Sequence, residues 1–510
     1  MVTRVVSKSV NKSNANAFKR QVSNAVMGTL GLSGERMSKV DTAWLRMDAP
    51  SNLMMIVGVW IIKPGVAYQD VCQRIEDRLL KYPRFGWFVA QDAAGATWVK
   101  DRDFRIERHV VLQELSVTQE GGEQQALQSC LAELAVQPLD MTRPLWQFHL
   151  VENYLGGSAL MVRIHHCIAD GIALISVTQS LVDGGLAPPQ KDLARSSFDH
   201  GDTPQDWIVG NVVKPFADVA VKALGVAGDG ALSAMGMMGE PRKGIDKGMA
   251  GSVDLARLAY QIARDGAALA LMSDDSQTCL KGIPGLKKKV AWCQPISLEE
   301  VRAVGKALRC SINDVLLSCV AGAIGQYLKS LGEDVASKEI RAMVPVNLRP
   351  AQDAYKLGNR FGLAPVVLPI GLENPVERVY AVRRRMNELK GSLQPMLAFA
   401  LLAVAGMLIK PAQDALLSLF SRKTTAVMTN VPGPREKLKF CGSTLEQSLF
   451  WVPQSGTVGL GVSILSYGGG VQFGVISDAK LCPDPQKIID EFQPEFAKLA
   501  TLTLMLPWGD

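Results

Sequence analysis

Hydrophobic positions along the chain follow two periods, and their alternation predicts an α/β protein. Leu53 to Ile62 (LMMIVGVWII) is an unbroken apolar run closed by Lys63-Pro64-Gly65, as a buried strand requires. From Tyr68 to Tyr82 the spacing becomes helical, with Val71, Ile75, Leu79 and Leu80 on one stripe, and Pro83 stops it. Arg84 to Val99 is rich in aromatics and reads as strands; Glu123 to Val136 reads as a second helix. Leu145 to Val151 and Ser158 to His166 are apolar strands separated by a turn at Asn153 to Gly157, which predicts a hairpin. Helical spacing returns from Ile172 to Leu181.

Leu186 to Gly251 carries Gly, Ala, Met and Pro with little period after Leu224, and reads as a long connection with broken helices. Leu255 to Met272 is helical again, and a turn at Gly282 to Gly285 precedes a strand over Val290 to Ile296. Ser297 is a good N-cap, with Glu299 and Glu300 facing the helix dipole. Ser311-Ile312-Asn313-Asp314 opens a helix over Val315 to Leu331, and Ile340 to Leu348 is a strand. Gly391 to Ile409 holds no charge and could just span a bilayer by length, but Pro395 and several Ala and Gly favour a buried or interfacial helix. Thr424 to Pro434 is a strand running into a rigid turn, and Val458 to Asp478 is a hairpin around Tyr467 to Gly470. The chain thus divides into a disordered basic tail (1–34), an N-terminal lobe (35–190), an inter-lobe connection with helices (191–285) and a C-terminal lobe (286–510).

At 510 residues, 47% of them hydrophobic, the chain can bury a large core in two lobes. A net charge of +6, with no arginine-rich arm interleaved with aromatics, argues against a nucleic-acid partner and fits contact with anionic lipid. The nine cysteines form no CxxC and no Cys/His cluster with zinc spacing, so no metal is expected and the thiols should be reduced, as in the cytoplasm. The first 34 residues hold Arg4, Lys8, Lys12, Lys19 and Arg20 and no acid, and lack an apolar run of signal-peptide length. They read as a tail that can also tether the protein electrostatically to a lipid surface.

The chemistry concentrates in Ser158 to Leu174, SALMVRIHHCIADGIAL. Two of the five histidines stand side by side there. Side chains alternate along a strand, so a regular strand puts His166 on the face of Leu160, Val162 and Ile164, and His165 with Met161 and Arg163. Cys167 points away from His166 and reads as packing. Asp170-Gly171 is a turn signal before a helix.

HHxxxDG resembles the active-site signature of acyltransferases related to chloramphenicol acetyltransferase and to peptide-synthetase condensation domains. Three further boxes stand in the order found in bacterial wax ester synthase/acyl-CoA:diacylglycerol acyltransferases: Pro144-Leu145-Trp146, Asn313-Asp314 and Asn430-Val431-Pro432-Gly433-Pro434. The opening MSKVDTAWL, the NLRP at 347 and the Gly358-Asn359-Arg360-Phe361 piece are similar to that family too. Lys39 departs from it, since proline often stands there, and the DFGWG box of the plant enzymes is absent. The resemblance implies two similar α/β lobes of the chloramphenicol acetyltransferase type, with mixed sheets and a tunnel between them. It implies that His166 is the general base and that Asp170-Gly171 supports its loop.

On this reading the enzyme moves a long-chain acyl group from acyl-CoA, a substrate rather than a cofactor, to a fatty alcohol or diacylglycerol. His166 takes the alcohol proton with no covalent intermediate. Asn313 and backbone N–H groups are candidate oxyanion donors. His165, Asp170, Gly171, Asp314, Pro144, Leu145, Trp146, Asn430, Pro432 and Gly433 complete the candidate site. The expected location is cytoplasmic, in peripheral contact with the membrane's inner face or a lipid inclusion. A serine hydrolase is excluded by the lack of GxSxG, and HExxH and a P-loop are absent. Two alternatives differ in class. A condensation-type enzyme using a carrier-protein thioester would share HHxxxDG but not NVPGP, and a non-catalytic lipid-droplet protein has no need of His166 with Asp170.

Overall fold

The computed structural model describes residues 34–92, 95–117, 121–185, 264–265, 272–349, 356–405 and 410–506. The basic tail and most of the inter-lobe connection, including most of the helix expected from Leu255, lie outside these residues.

The N-terminal half runs β1 (Gly34–Arg36), α1 (Lys39–Arg46), β2 (Met55–Lys63), α2 (Tyr68–Arg78), β3 (Trp87–Asp92), β4 (Gly95–Lys100), β5 (Val110–Leu112), α3 (Gly122–Leu134), β6 (Trp146–Tyr154), β7 (Gly157–His165) and α4 (Gly171–Leu181). The second half continues with β8 (Lys288–Trp292), β9 (Ile296–Ser297), α5 (Leu298–Ala307), α6 (Ile312–Ser330), β10 (Ile340–Asn347), β11 (Phe361–Leu368), α7 (Pro375–Lys390), α8 (Gln394–Ala405), α9 (Lys410–Arg422), β12 (Ala426–Pro432), β13 (Lys439–Phe440), β14 (Ser443–Trp451), β15 (Leu460–Tyr467), β16 (Gly470–Asp478) and α10 (Gln486–Met505).

Two large mixed sheets form. The first has the order β13-β14-β2-β7-β6-β5; the second runs β11-β10-β12-β15-β16-β8, with β9 also on β16. Parallel pairs (β5–β6, β10–β12, β12–β15) stand among antiparallel ones. A three-stranded sheet, β1-β4-β3, is separate. The unbroken apolar run of β2 takes the centre of the first sheet, where only Lys63 at its end is exposed. The β6–β7 hairpin turns at Leu155 and Gly156, both at positive φ.

Two expectations change. Residues 439–451, assigned from sequence to the C-terminal lobe, instead extend the first sheet: β14 pairs with β2 from Thr444↔Lys63 to Trp451↔Val57. Within the uncharged stretch from Gly391, where a buried or interfacial helix is expected, Gln394 to Ala405 are helical, and no single described helix is long and apolar enough to cross a membrane. The strand expected over Val290 to Ile296 is two, β8 and β9, broken at Cys293 to Pro295. Ser311 caps α6, in a capping box completed by Asp314.

The core packs as three buried clusters. One lies under the first sheet and holds Trp44, Trp146 and Ile164; a second fills the second sheet around α6 and α10. A third, with Val57, Leu131, Trp292 and Trp451, joins the first sheet to strands of the second.

Candidate active site

The histidine loop sits where β7 stops. The strand ends at His165, whose N–H still donates to the carbonyl of Leu145; the next N–H, of His166, donates to the carbonyl of Met54. Pro144-Leu145-Trp146 therefore anchors the loop through its backbone, and Trp146, fully buried, donates from Nε1 to the carbonyl of Phe85. His166 is 3% exposed and lies flat against Trp44 of α1, with centroids 4.2 Å apart and planes 14° apart. Phe361 closes a second side at 5.5 Å.

Asn359 and Asp41 connect His166 to the buried Arg84. His166 Nδ1 lies 2.8 Å from Asn359 Oδ1, and Asn359 Nδ2 donates to Asp41 Oδ1 (2.8 Å) and to the carbonyl of His166 (2.7 Å). The Asn359 N–H also donates to Asp41 Oδ1, while Arg84 Nη1 pairs with Asp41 Oδ2 at 3.1 Å. Asp41 is fully buried beside Arg84. The orientation of the Asn359 amide follows. Its Nδ2 faces a carboxylate and a carbonyl, which only accept, so Oδ1 must be the atom toward His166. Nδ1 therefore carries the proton, and Nε2 keeps the lone pair. Burial holds the His166 pKa down, to about 4, against the pull of Asp170 and of the Asn359 bond. The ring is neutral at pH 7 and can accept a proton at Nε2.

His165 is built differently. Its Nε2 lies 3.3 Å from Asp48 Oδ2, and its Nδ1 accepts from the Cys167 N–H at 3.2 Å. Burial depresses its pKa, while Cys167 and Asp48 pull it upward. A charged ring would need a proton on Nδ1, pointing into the Cys167 N–H. The hydrogen-bond geometry therefore decides for the neutral Nε2–H form, fixed by Asp48.

Asp170 is fully engaged away from both rings. Oδ1 caps α4 by accepting from Ala173 N (3.0 Å); Oδ2 accepts from Arg349 Nη2 (2.7 Å) and Arg360 N (2.8 Å). Arg349 Nη2 also donates to the carbonyl of Gly358 at 2.6 Å. Gly358 bridges Ala169, with φ +105°, a backbone that side chains rarely adopt. The loop is thus clamped between α4 on one side and Arg349, Gly358 and Arg360 on the other.

The other candidates fall in two places. Asn313 and Asn430 meet, with Asn430 Nδ2 donating to Asn313 Oδ1 at 3.1 Å, so two of the boxes join across α6 and β12. Asp314 accepts from the Ser311 N–H and is the partner in the α6 capping box. Gly433 packs so closely on β15 that a Cβ there would lie 2.6 Å from the carbonyl of Ser466, and with Gly171 it lines an apolar cleft; Pro432 is exposed at the end of β12. That cleft, ≈ 1000 Å³ with its open mouth, lies between α4 and the His166 face of the first sheet. Lys288 of β8 is buried, and its Nζ donates to Asn52 Oδ1 at 2.6 Å.

Asp41, Trp44, Asp48, Arg84, Arg349 and Asn359 were not singled out from sequence. Asp41 and Trp44 stand in the opening MSKVDTAWL box, Arg349 and Asn359 in the NLRP and GN-F pieces. Arg84 and Asp48 carry no such signal.

The model of the wax ester synthase/diacylglycerol acyltransferase catalytic domain matches residues 37–316, and that of the WS/DGAT C-terminal domain matches 357–500. A probable diacylglycerol O-acyltransferase of Mycobacterium tuberculosis is 26% identical over 478 residues, covering 92% of this chain and 96% of that protein. A second one from the same organism is 25% identical over 475 residues, covering 90% and 97%. Among solved structures, the wax ester synthase/diacylglycerol acyltransferase from Marinobacter aquaeolei VT8 is similar with TM-score 0.61 and 18% identity, covering 92% of this chain and 99% of that one. The first condensation domain of the CDA synthetase gives 0.52 at 14% identity, covering 92% and 96%. These last two likenesses concern the fold.

Proposed function

The chain belongs to the wax ester synthase/diacylglycerol acyltransferase family, and from that premise we propose that His166 is the general base of its acyl transfer. The protein is an acyltransferase acting on an alcohol or diacylglycerol acceptor. The donor is a long-chain acyl-CoA, and the relatives named for diacylglycerol favour that acceptor among the two. The observation that carries the base assignment is the chain from Arg84 through Asp41 and Asn359, which leaves Nε2 as the nitrogen with the lone pair.

In this mechanism the acceptor hydroxyl gives its proton to His166 Nε2 as its oxygen bonds to the thioester carbonyl carbon. The tetrahedral oxyanion then re-forms the carbonyl, the C–S bond breaks, and the imidazolium returns the proton to the leaving sulfur. Products are the ester and free CoA, and no bond to the enzyme forms. As the imidazolium develops, its Nδ1–H bond to Asn359 strengthens, so the network stabilises the transition state more than the ground state. His165 and Asp170 position the loop, the first through Asp48, the second through Arg349. The apolar cleft on the His166 face receives an aliphatic chain.

The substrates are nearly insoluble, which favours a cytoplasmic enzyme in peripheral contact with a membrane or lipid inclusion; the five basic residues of the tail suit an anionic surface. The decisive experiment is release of CoA thiol from palmitoyl-CoA on addition of hexadecanol or diacylglycerol, with the ester product identified. Thiol release that ignores the acceptor would overturn the proposal.

A further inference from the structure

The apolar cleft has a measurable depth and a fixed end. Its near end is Ile164 and Gly171, on either side of the histidine loop, and no charged side chain lines it. Such a lining rejects phosphates and headgroups and accepts an aliphatic chain. Strand register gives the depth. Ile56 lies beside Ile164, Gly58 beside Val162, and Trp60 beside Leu160. At about 3.3 Å per residue these positions stand ~7, ~13 and ~20 Å back from His166. Helix α4 gives a second measure: Gly171 and Leu181 both line the cleft, ten steps apart, or about 15 Å at 1.5 Å per residue. Trp60 is the last side chain of β2 and β7 along this line to face the cleft. It is 7% exposed and braced edge-on by Phe440, centroids 5.5 Å apart at 73°, and Phe440 is itself 1% exposed.

We propose that Trp60 sets the chain length this enzyme accepts. The aliphatic chain of one substrate lies along Ile164 and Val162 and stops against Trp60. An extended chain advances about 1.3 Å per carbon, so ~20 Å admits about sixteen carbons. The inference rests on the acyl-transfer reading and adds to it a residue that decides specificity.

The test uses the full chain and two variants that act in opposite directions. Trp60→Leu removes the wall and moves the upper limit up by about four carbons, one indole length at ~1.3 Å per carbon. Val162→Phe places a ring midway and moves the limit down to about ten carbons, the ~13 Å position. Variant-to-parent ratios of kcat/KM are read over a ladder of acyl-CoAs with one alcohol, then over a ladder of alcohols with one acyl-CoA. Below the limit each methylene gains up to about fourfold in kcat/KM, and the gain stops at the wall. Opposite displacements in the acyl ladder, or in the alcohol ladder, support the proposal and say whose chain occupies the cleft. Unmoved limits in both ladders, with both variants melting cooperatively, overturn it. Should Trp60→Leu fail to fold, an unmoved limit in Val162→Phe alone overturns it. A parent enzyme without acceptor-dependent thiol release would instead sink the acyl-transfer reading itself.

Discussion

Replacing Asn359 by leucine tests the network at its centre. The side chain keeps its approximate volume but loses Oδ1 toward His166 and both Nδ2 donations. The lost term that matters for rate is the Nδ1–H bond as the ring becomes charged. A hydrogen bond to a charged group contributes about 1.5–3 kcal/mol, and ~1.4 kcal/mol is tenfold in rate, so kcat/KM should fall about 10- to 150-fold. Asp41 keeps Arg84 and the Asn359 N–H but loses one donor, which should lower stability by about 1–3 kcal/mol. A merely structural role would produce the second effect without the first. The distinguishing readout is pH. The Asn359 bond raises the His166 pKa against burial, so its removal should move the acid limb of kcat/KM further down. The assay is acceptor-dependent thiol release, followed with a dithiodipyridine reagent that reports thiol in acid. A variant that folds, retains kcat/KM within about threefold and leaves the acid limb in place would refute the argument, because the arithmetic then leaves less than ~1 kcal/mol for the bond.

His166→Ala should lose roughly 10²–10⁴-fold in rate, the range for a positioned base, and His165→Ala less; equal losses with folding intact would reverse the assignment of roles. Asp170→Asn breaks the buried pair with Arg349 and should cost about 3–5 kcal/mol of stability. An Asp170→Asn protein that melts like its parent yet turns nothing over would move Asp170 into the chemistry. The His166 pKa is about 4 folded and near 6.5 unfolded, so the unfolded state takes up the extra proton between those values and stability falls as pH drops through that window. At pH 5 that is about 2 kcal/mol relative to pH 7, and His166→Ala should lose correspondingly less in urea midpoints over the same interval. Deleting residues 1–31 should weaken binding to anionic vesicles in low salt; unchanged binding would move the contact to the folded part of the chain.

What the sequence made legible was local, and what it hid was distant. The β6–β7 hairpin, the cap at Ser297 and the glycine turn at 468–469 follow from neighbours a few residues apart, and the structure has them where the periods put them, whereas α2 ends at Arg78, before Pro83. Alternation also put His166 on the face of Val162 and Ile164, although β7 ends one residue earlier. The partners of the loop could not be read that way. Asn359 reaches Asp41 across 318 positions and His166 across 193, and Arg349 reaches Asp170 across 179. No period or turn signal encodes such pairings; they exist only once Arg349 and Asn359 are laid against the end of β7. A polar residue in such a piece looks like any loop residue until burial removes its water and makes each bond obligatory.

The same contrast explains why the boxes are spread along the chain. Asp41 and Trp44 come from its start, His166 and Asp170 from its middle, and Arg349, Asn359 and Phe361 from its second half, yet all converge on one imidazole and its loop. Strand β14 does for the cleft what Asn359 does for the ring: it brings residues 443–451 back onto β2, so that Ser448 and Phe450 floor a cavity whose other wall is α4. Neither half of the chain holds a complete site. The second half supplies the acceptor for Nδ1–H, the counter-charge for Asp170 and part of the cleft wall; the first supplies His166, the proposed base. It follows that the N-terminal half alone, even if soluble, should show the His166 ring without a fixed tautomer, and a fragment ending before β10 that still transferred acyl groups would refute the requirement for Asn359 and Arg349.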